Sequence, residues 1–240
     1  KPFLVYVPHS MPHIPLYVPD EIRDPNPLNA YTCVIEHIDA EVGRIIKTIK
    51  DLKLDQNTIV IYTTDNGPWL GFRHHGGSAG PLRDGKGTTF EGGQRVPCVM
   101  RGPGIPAGTT CSELIGTIDI LPTFAALVGK SLPENTKIDG LDLSNLLTGS
   151  SKTRKRAEFL HYTSQGEIQG IRQGKWKLLR KKQKKVEKSE LVMLFDLNKD
   201  MGEQNNLADA KTKKVAELTK RMYELDKEIE QNSRVPWIKE

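Results

Sequence analysis

Two oxygen-bearing side chains lie side by side where an apolar run of the sequence ends. Asp65 and Asn66 come shortly after residues 58–62, Thr-Ile-Val-Ile-Tyr, and are followed by Gly-Pro. Carboxylate and amide oxygens are hard donors that suit Ca²⁺ or Mg²⁺. Two ligands do not complete a Ca²⁺ shell, which takes about 6–8 oxygens, and Asp-Asn-Gly is also good turn chemistry. The pair is therefore a candidate metal site or a turn that ends a strand.

A lysine between two glycines is the second candidate. Lys86 belongs to residues 81–93, Pro-Leu-Arg-Asp-Gly-Lys-Gly-Thr-Thr-Phe-Glu-Gly-Gly. The glycines allow a tight backbone and close approach of a ligand, and the ammonium group can bind an anionic oxygen. The segment lacks the Walker pattern GxxxxGK[ST], so it is not a nucleotide loop of that kind. The alternative is a flexible surface loop.

Four histidines form the third set of candidates. His9 and His13 lie in a Pro/His-rich stretch, and His74 and His75 are neighbours before the lysine loop. An imidazole can donate or accept a proton near neutral pH, which suits general acid–base chemistry. The alternative for each of them is plain polar surface.

Composition excludes several classes of protein. Hydrophobic residues make up 37% of the 240 residues and charged residues 27%, an ordinary globular balance. No run of about 18 apolar residues occurs, which predicts that no segment spans a membrane. The three cysteines, Cys33, Cys98 and Cys111, lack the spacing of a zinc site and cannot all pair within the chain.

Much of the net charge of +5 comes from a basic run at 180–188. Such a run can attract polyanions, or it can be an exposed loop with no further role. No aromatic residue interleaves with it, which argues against single-stranded nucleic acid as a partner.

The elements that must position these residues follow a strand–helix–strand order at first. Residues 2–7 have the pattern of a buried strand, and residues 58–62 that of a central parallel strand covered on both faces. Between them, residues 28–53 carry apolar side chains three or four apart, which predicts a helix. The members of that stripe are Tyr31, Ile35, Ile38, Val42, Ile45, Ile49 and Leu52. This order predicts an α/β class, with Asp65 and Asn66 at a carboxyl edge of the sheet, where ligands bind.

The pattern of predicted elements changes further along the chain. A strand at 96–100 and a helix at 117–128 come first, the helix with Asp119 near its start and Gly129 at its end. Beyond about 150, four short strand patterns predict an antiparallel sheet, and the last 30 or so residues contain an amphipathic helix pattern. These lie at 158–162, 168–172, 176–179, 191–197 and, for the helix, 210–231. We therefore predict two domains, 1–150 and 151–240.

The segments in order resemble the sulfatase family over nearly the whole chain. Three motifs carry most of the resemblance: Pro-His-Ile-Pro at 12–15, Thr-Asp-Asn-Gly-Pro at 64–68 and Gly-Lys-Gly-Thr-Thr-Phe-Glu-Gly-Gly at 85–93. Gly-Ser-Ala-Gly-Pro-Leu-Arg at 77–83 is similar to the arylsulfatase-A-like branch. The resemblance implies an alkaline-phosphatase-like α/β sheet flanked by helices, present here in part. A C-terminal α+β subdomain with a small antiparallel sheet and a terminal helix would follow it.

The resemblance also implies roles for single residues. Asp65 and Asn66 match metal ligands, usually for Ca²⁺, with Mg²⁺ as the other possibility. Lys86 matches a lysine that binds the sulfate and the leaving-group oxygen, and His13 a histidine that contacts the ester and can protonate the leaving group. His75 and Arg83 are looser matches, expected as substrate-binding residues at the pocket wall. Two more loose matches are expected in or behind that wall: His9 and Glu91.

One part of the family pattern is missing from the sequence. The family's nucleophile is a cysteine in Cys-x-Pro/Ala-x-Arg that is converted to formylglycine, and none of the three cysteines has that context. We therefore expect the chain to be the C-terminal portion of a sulfatase, with the formylglycine and the other metal ligands in an N-terminal half. On this interpretation the chain alone has no turnover.

The predicted function is hydrolysis of sulfate monoesters by the full-length protein, on a sulfated small molecule or a sulfated carbohydrate. The family resemblance implies an extracytoplasmic location, periplasmic, secreted or lysosomal. One alternative is a phosphodiesterase or phosphonate monoester hydrolase of the same superfamily, since fold cannot separate these activities. Another is a non-catalytic module that binds polyanions through residues 180–188. The sequence does not indicate the oligomeric state.

Overall fold

The structure is a computed structural model that describes residues 2–149, 156–182 and 190–233. These residues form two compact units. The first takes in the described residues up to Gly80 together with Asp84–Lys86 and Gly92–Pro103. The second takes in Pro81–Arg83, Gly87–Glu91 and the described residues from Gly104 onward. The predicted domain boundary near 150 lies at 150–155, outside the described residues, and the division into 1–150 and 151–240 stays a prediction.

A long helix dominates the first unit. Helix α1 spans Ala30–Asp51, which confirms the helix predicted at 28–53. Its buried residues are Val34 and Ile38. Ile45, which belongs to the predicted apolar stripe, is 40% exposed, so the stripe is buried only toward its N-terminal half. The apolar period thus predicts the helix but not how much of the stripe is covered.

Two short strands form the sheet of the first unit. Strand β1 (Val60–Thr63) pairs antiparallel with β2 (Cys98–Arg101), with Val60 opposite Arg101. The strand predicted at 96–100 is thereby confirmed. The prediction of a central parallel strand at 58–62 was wrong for the described residues, because β1 pairs antiparallel and its Tyr62 is exposed. An apolar run indicates a strand, but it does not specify the direction of the neighbouring strand.

The strand predicted at 2–7 was also wrong. Residues 2–7 form no strand, and the apolar side chains Phe3–Val7 are at least half exposed, from 50% at Val7 to 85% at Tyr6. A strand needs a neighbouring edge that satisfies its backbone groups. Within the described ranges, the strand pairing involves β1, β2 and four strands of the second unit, and residues 2–7 take no part in it.

The first helices of the second unit follow the predicted order. Helix α3 (Ile120–Leu127) continues from a 3₁₀ turn at Thr117–Asp119 and ends before Gly129, whose φ is +65°. This confirms the helix predicted at 117–128. The buried carboxylate of Asp119 accepts hydrogen bonds from the Gly116 and Leu141 amides and pairs with Arg156.

The other short helices are α2 (Glu91–Gln94) and α4 (Ser144–Leu147). In the first unit, 3₁₀ segments lie at Asp20–Ile22, Pro27–Asn29, Asp55–Asn57 and Leu70–His75, the last of them interrupted by a kink at Arg73, and in the second unit one lies at Asp209–Lys211.

A four-stranded antiparallel sheet and a terminal helix form the rest of the second unit. The strands pair in chain order: β3 (Glu158–Tyr162), β4 (Ile168–Gln173), β5 (Trp176–Lys182) and β6 (Glu190–Asp196). Helix α5 spans Thr212–Asn232. All five elements confirm the sequence prediction, because the patterns at 158–197 and 210–231 are strongly periodic.

The sheet buries a core on each face. On one face, Ile171, Leu178 and Leu194 pack with Leu218 and Met222 of α5, all of them fully buried. On the other face, neighbouring residues of β5 and β6 pack with Phe90. The members of that second cluster are Phe90, Leu179, Met193, Phe195 and Leu197. Alternate residues of each strand thus face opposite cores.

The basic run at 180–188 is described only at its start. Arg180 pairs with Glu190, and the Lys182 ammonium lies 2.7 Å from a Glu167 oxygen. Residues 183–189 lie outside the described residues, so the polyanion interpretation of the run stays a prediction. At their described positions, Arg180 and Lys182 take part in strand-to-strand ion pairs.

Candidate active site

The candidate metal ligands lie in the turn that follows β1. Asp65 is exposed and Asn66 is half-buried, immediately beyond the last strand residue, Thr63. The Thr64 hydroxyl lies 3.4 Å from Asp65 Oδ1 and 3.5 Å from the Asn66 carbonyl oxygen. The turn thus presents a carboxylate and an amide at a strand exit, as the sequence predicts.

Two backbone hydrogen bonds hold this turn against the lysine loop. The Gly67 amide donates to the Gly93 carbonyl at 3.1 Å, and the Lys86 amide donates to the Pro68 carbonyl at 2.8 Å. Both bonds lie within the first unit. They fix the backbone of Lys86 beside the residues that directly follow Asn66.

Glycines make this approach possible. A Cβ atom at Gly67 would lie 1.7 Å from the Gly92 carbonyl oxygen, and one at Gly85 would lie 2.2 Å from the Pro68 carbonyl oxygen. Both distances are far below van der Waals contact, so neither position can carry a side chain without moving backbone. The glycines of the two motifs are therefore required by close packing of one motif on the other.

Trp69 brings two of the candidate catalytic residues together. The His13 ring lies 5.9 Å from the indole centroid, and the Lys86 ammonium lies 5.1 Å from it. Phe72 contacts the same indole edge-on, with 4.6 Å between centroids. We refer to His13, Trp69, Phe72 and Lys86 as the Trp69 cluster. Sequence reasoning missed Trp69, although an aromatic residue directly after the Asp-Asn-Gly-Pro turn was a usable signal.

His13 has one ring nitrogen engaged. Its Nδ1 lies 2.8 Å from the Ile14 carbonyl oxygen. Because a carbonyl oxygen only accepts, Nδ1 carries the hydrogen and donates it. The same interaction leaves Nε2 as the nitrogen that can exchange a proton with a ligand. The His13 side chain is exposed, so that exchange is sterically open.

The other histidines have different surroundings. His75 Nε2 donates to the Pro27 carbonyl at 3.0 Å, which ties the 3₁₀ segment Leu70–His75 to the one that precedes α1. None of the ring contacts described for Trp69 involves His75. His9 and His74 are exposed. The structure thus gives His75 a backbone partner, and its predicted contact with substrate stays a prediction.

Arg83 and Glu91 both belong to the second unit. The Arg83 guanidinium lies over the Phe90 ring, 4.0 Å from its centroid, and donates to the Glu203 carbonyl at 2.6 Å. Glu91 is buried, and one of its carboxylate oxygens lies 2.8 Å from the Lys177 ammonium. Within the described residues both side chains have packing partners, and their roles toward substrate remain predictions.

The chemistry of Asp65 and Asn66 suits a hard divalent cation, since both present oxygen donors. Within residues 2–149, 156–182 and 190–233, no group of three or more His, Cys, Asp or Glu side chains could hold a metal ion. The two residues therefore fit as part of a Ca²⁺ shell rather than as a complete one.

Comparison with known families decides the assignment. A family model described as Sulfatase matches residues 1–130, more than half of the chain. The chain belongs to the sulfatase family. A second model, described as N-sulphoglucosamine sulphohydrolase, C-terminal, matches residues 84–231 of the chain. Together the two matches extend over the turn after β1, the lysine loop and the antiparallel sheet with α5.

Curated and structural relatives agree with this family. Arylsulfatase A of Bos taurus is 35% identical over 229 residues, covering 88% of this chain and 45% of the relative. A solved structure from a study of the metabolism of multiple glycosaminoglycans by Bacteroides thetaiotaomicron superposes with a TM-score of 0.77 and 27% sequence identity. The superposition includes 90% of this chain and 48% of the chain of that structure. A third relative was solved in complex with its substrate D-glucosamine-2-N,6-O-disulfate. It superposes with a TM-score of 0.64 and 27% identity over 85% of this chain and 41% of the relative's chain.

These comparisons confirm the arylsulfatase-A-like resemblance and the predicted fold class. The chain spans about half the length of the relatives it matches. The small antiparallel sheets and the C-terminal helix agree with part of an alkaline-phosphatase-like fold. None of the helices in the described ranges has both the length and the apolar character that crossing a bilayer requires.

Proposed function

We propose that the full-length protein hydrolyses sulfate monoesters and that this chain contributes the Trp69 cluster and the turn after β1 to its active site. One observation carries the proposal. The turn with Asp65 and Asn66 is hydrogen-bonded to the loop of Lys86, and both His13 and Lys86 lie against one indole. An ammonium, an imidazole and two oxygen donors are what binding and cleaving a sulfate ester requires.

Lys86 supplies a fixed positive charge. Its backbone amide donates to the Pro68 carbonyl, so the loop that carries the charge is in place before a ligand arrives. A preorganised charge lowers the energy of the transition state because negative charge grows on the sulfuryl and leaving-group oxygens as the ester bond breaks. Lys86 is thus the residue that binds the sulfate oxygens.

His13 handles the proton. Nδ1 is committed to the Ile14 carbonyl, so Nε2 carries or releases the proton that the departing alcohol requires. Asp65 and Asn66 would hold a divalent cation, Ca²⁺ or Mg²⁺, which when bound polarises a sulfate oxygen. The family's nucleophile motif does not occur in this sequence. Turnover therefore depends on the rest of the protein, and the isolated chain binds without turning over.

A test uses the full-length protein that contains this chain and a matched pair of sulfate and phosphate monoesters. We expect faster hydrolysis of the sulfate ester than of the phosphate ester. Lys86→Ala and His13→Ala should each lower kcat/KM by about 10²–10⁴, the range for losing a preorganised charge or a general acid.

Matched controls come from the same unit of the chain. Lys50→Ala removes an exposed lysine near the end of α1, and His74→Ala removes an exposed histidine of the segment Leu70–His75. Both controls should keep wild-type kcat/KM. A preference for the phosphate ester, or Lys86→Ala and His13→Ala variants as active as the controls, would contradict the proposed function.

A further inference from the structure

Trp69 is a large aromatic side chain that is only partly buried. It is 42% exposed, and two apolar neighbours in the chain, Leu70 and Phe72, are 43% exposed each. An indole exposed to this extent forms an apolar surface at the candidate site.

The charges around this indole determine what can lie against it. The Lys86 ammonium and the His13 ring lie within 6 Å of its centroid, and Asp65 and Asn66 precede it by only a few residues. An anion held by Lys86 therefore has the apolar surface of Trp69 and Phe72 next to it. Pockets for small ligands combine apolar and aromatic walls with a few fixed polar groups in the same way.

A sulfate monoester has two parts of matching character. The sulfate group is fully charged, while the alcohol part supplies a carbon skeleton. In a sugar, axial C–H groups make one ring face apolar, and hydroxyl groups keep the ring edge polar. A partly solvent-exposed indole can pack against the apolar face of such a sugar ring, because it offers an apolar face beside polar neighbours. A small acyclic alcohol would leave most of the indole uncovered.

We propose that Trp69 is a specificity-determining residue whose indole packs against the sugar ring of a sulfated carbohydrate while Lys86 binds its sulfate. This inference rests on the proposed function. The proposed substrate class is a cyclic sugar sulfate, and the aromatic contact, not the charged groups, selects it. Lys86 and His13 recognise the sulfate of any ester, and Trp69 discriminates by what the sulfate is attached to.

The test compares ligands that share the sulfate and differ in the ring. Inorganic sulfate, methyl sulfate and a panel of monosaccharide sulfates are titrated by calorimetry into the full-length protein. Wild type should bind at least one monosaccharide sulfate tighter than methyl sulfate. Trp69→Ala should weaken binding of that sugar sulfate about tenfold, which is about 1.4 kcal/mol. The same variant should change the Kd of methyl sulfate and of inorganic sulfate less than twofold.

Two further variants separate packing from folding. Trp69→Phe keeps an aromatic face and should lose less than Trp69→Ala. Tyr223→Ala removes a ring of similar exposure, 46%, from α5 in the second unit and should bind every ligand as wild type does. In kinetics on the sugar sulfate, Trp69→Ala should raise KM with little change in kcat, since a remote ring contact is made equally in substrate and transition state.

The outcomes distinguish this inference from the proposed function. Wild type that binds no monosaccharide sulfate better than methyl sulfate overturns the inference. The inference is also overturned if Trp69→Ala weakens binding of inorganic sulfate as much as binding of the sugar sulfate, because Trp69 then only positions Lys86 and His13. Wild type that binds neither inorganic sulfate nor any ester, and hydrolyses none, overturns the proposed function itself.

Discussion

Lys177 offers the sharpest test of how the second unit is held together. Its side chain is fully buried, and its ammonium lies 2.8 Å from Glu91 Oε1 and 3.0 Å from Glu203 Oε1. The other Glu203 oxygen accepts the Glu91 amide at 2.7 Å. Burial raises the pKa of Glu203, and the charge of Lys177 opposes that rise. The lysine is thus a positive charge shared by two buried carboxyl groups.

The perturbation is Lys177→Met, which keeps an unbranched side chain and removes the charge. Two buried carboxylates then lose their shared partner, and only Arg172, 3.6 Å from Glu91 Oε2, remains near one of them. Removing one member of a buried ion pair costs about 3–5 kcal/mol, because the remaining charge is left uncompensated. For a domain of about 150–250 residues, about 2–4 °C of melting temperature accompany each kcal/mol. We therefore expect a melting temperature about 6–20 °C lower.

The assay is urea or thermal unfolding of the whole chain, followed by circular dichroism. The control is the triple variant Lys177→Met, Glu91→Gln, Glu203→Gln, which removes all three charges and should recover most of the loss. The deficit of Lys177→Met should also shrink as pH falls. A carboxyl group whose pKa is raised in the folded state, as that of Glu203 is, contributes stability when it is protonated, and that contribution is lost as pH rises through the folded pKa. A Lys177→Met variant within about 1 kcal/mol of wild type at neutral pH refutes the reasoning, since the carboxylates would then not depend on Lys177.

Two further predictions concern a buried histidine and a site glycine. Burial, with the charges of Lys177 and Arg172, holds the pKa of His161 well below 6.5. The unfolded chain therefore takes up a proton that the folded chain does not, and stability falls as pH drops below about 6.5, by up to about 1.4 kcal/mol per pH unit. His161→Gln should remove this part of the slope in unfolding titrations; an unchanged slope would assign it to other groups. Gly67→Ala places a Cβ 1.7 Å from a backbone oxygen and should cost about 1–3 kcal/mol and most of the sulfate-ester turnover. In contrast, Gly43→Ala, in open space on α1, should stabilise by about 0.5–1 kcal/mol; equal behaviour of both variants would refute the close-packing argument.

The elements that sequence predicts well are those whose pattern is local. Helix α5 and strands β3–β6 carry apolar side chains at a period that matches their own geometry, so their existence follows without knowledge of a partner. Residues 2–7 and β1 show the limit. Both are short apolar runs, and whether such a run is paired, in which direction and with what cover is decided by segments remote in sequence. Residues 2–7 are exposed and β1 is antiparallel for that reason.

The same distinction applies to the candidate site. Residue type and strand-exit position indicate Asp65, Asn66 and Lys86, because their chemistry can be read at single positions. Trp69 was missed, although its place directly after the turn was a signal, because only the structure shows His13 and Lys86 beside its ring. Glu91 shows the converse. The family resemblance suggests a place in or behind the pocket wall, but its ammonium partner is Lys177, a residue of β5 remote in sequence.

The lysine loop combines two physical demands within a few residues. Lys86 lies with Trp69 in the first unit, and the glycines around it allow close backbone contact. Phe90 and Glu91 belong to the second unit, where Phe90 is buried with Leu179 and Glu91 pairs with Lys177. On the proposed function, one end of the motif binds the ligand, while the other is held by packing and buried charge. Loss of activity in variants of this loop therefore has two separable causes. A variant at Lys86 should lose activity at unchanged free energy of unfolding, whereas one at Glu91 loses it because that free energy falls.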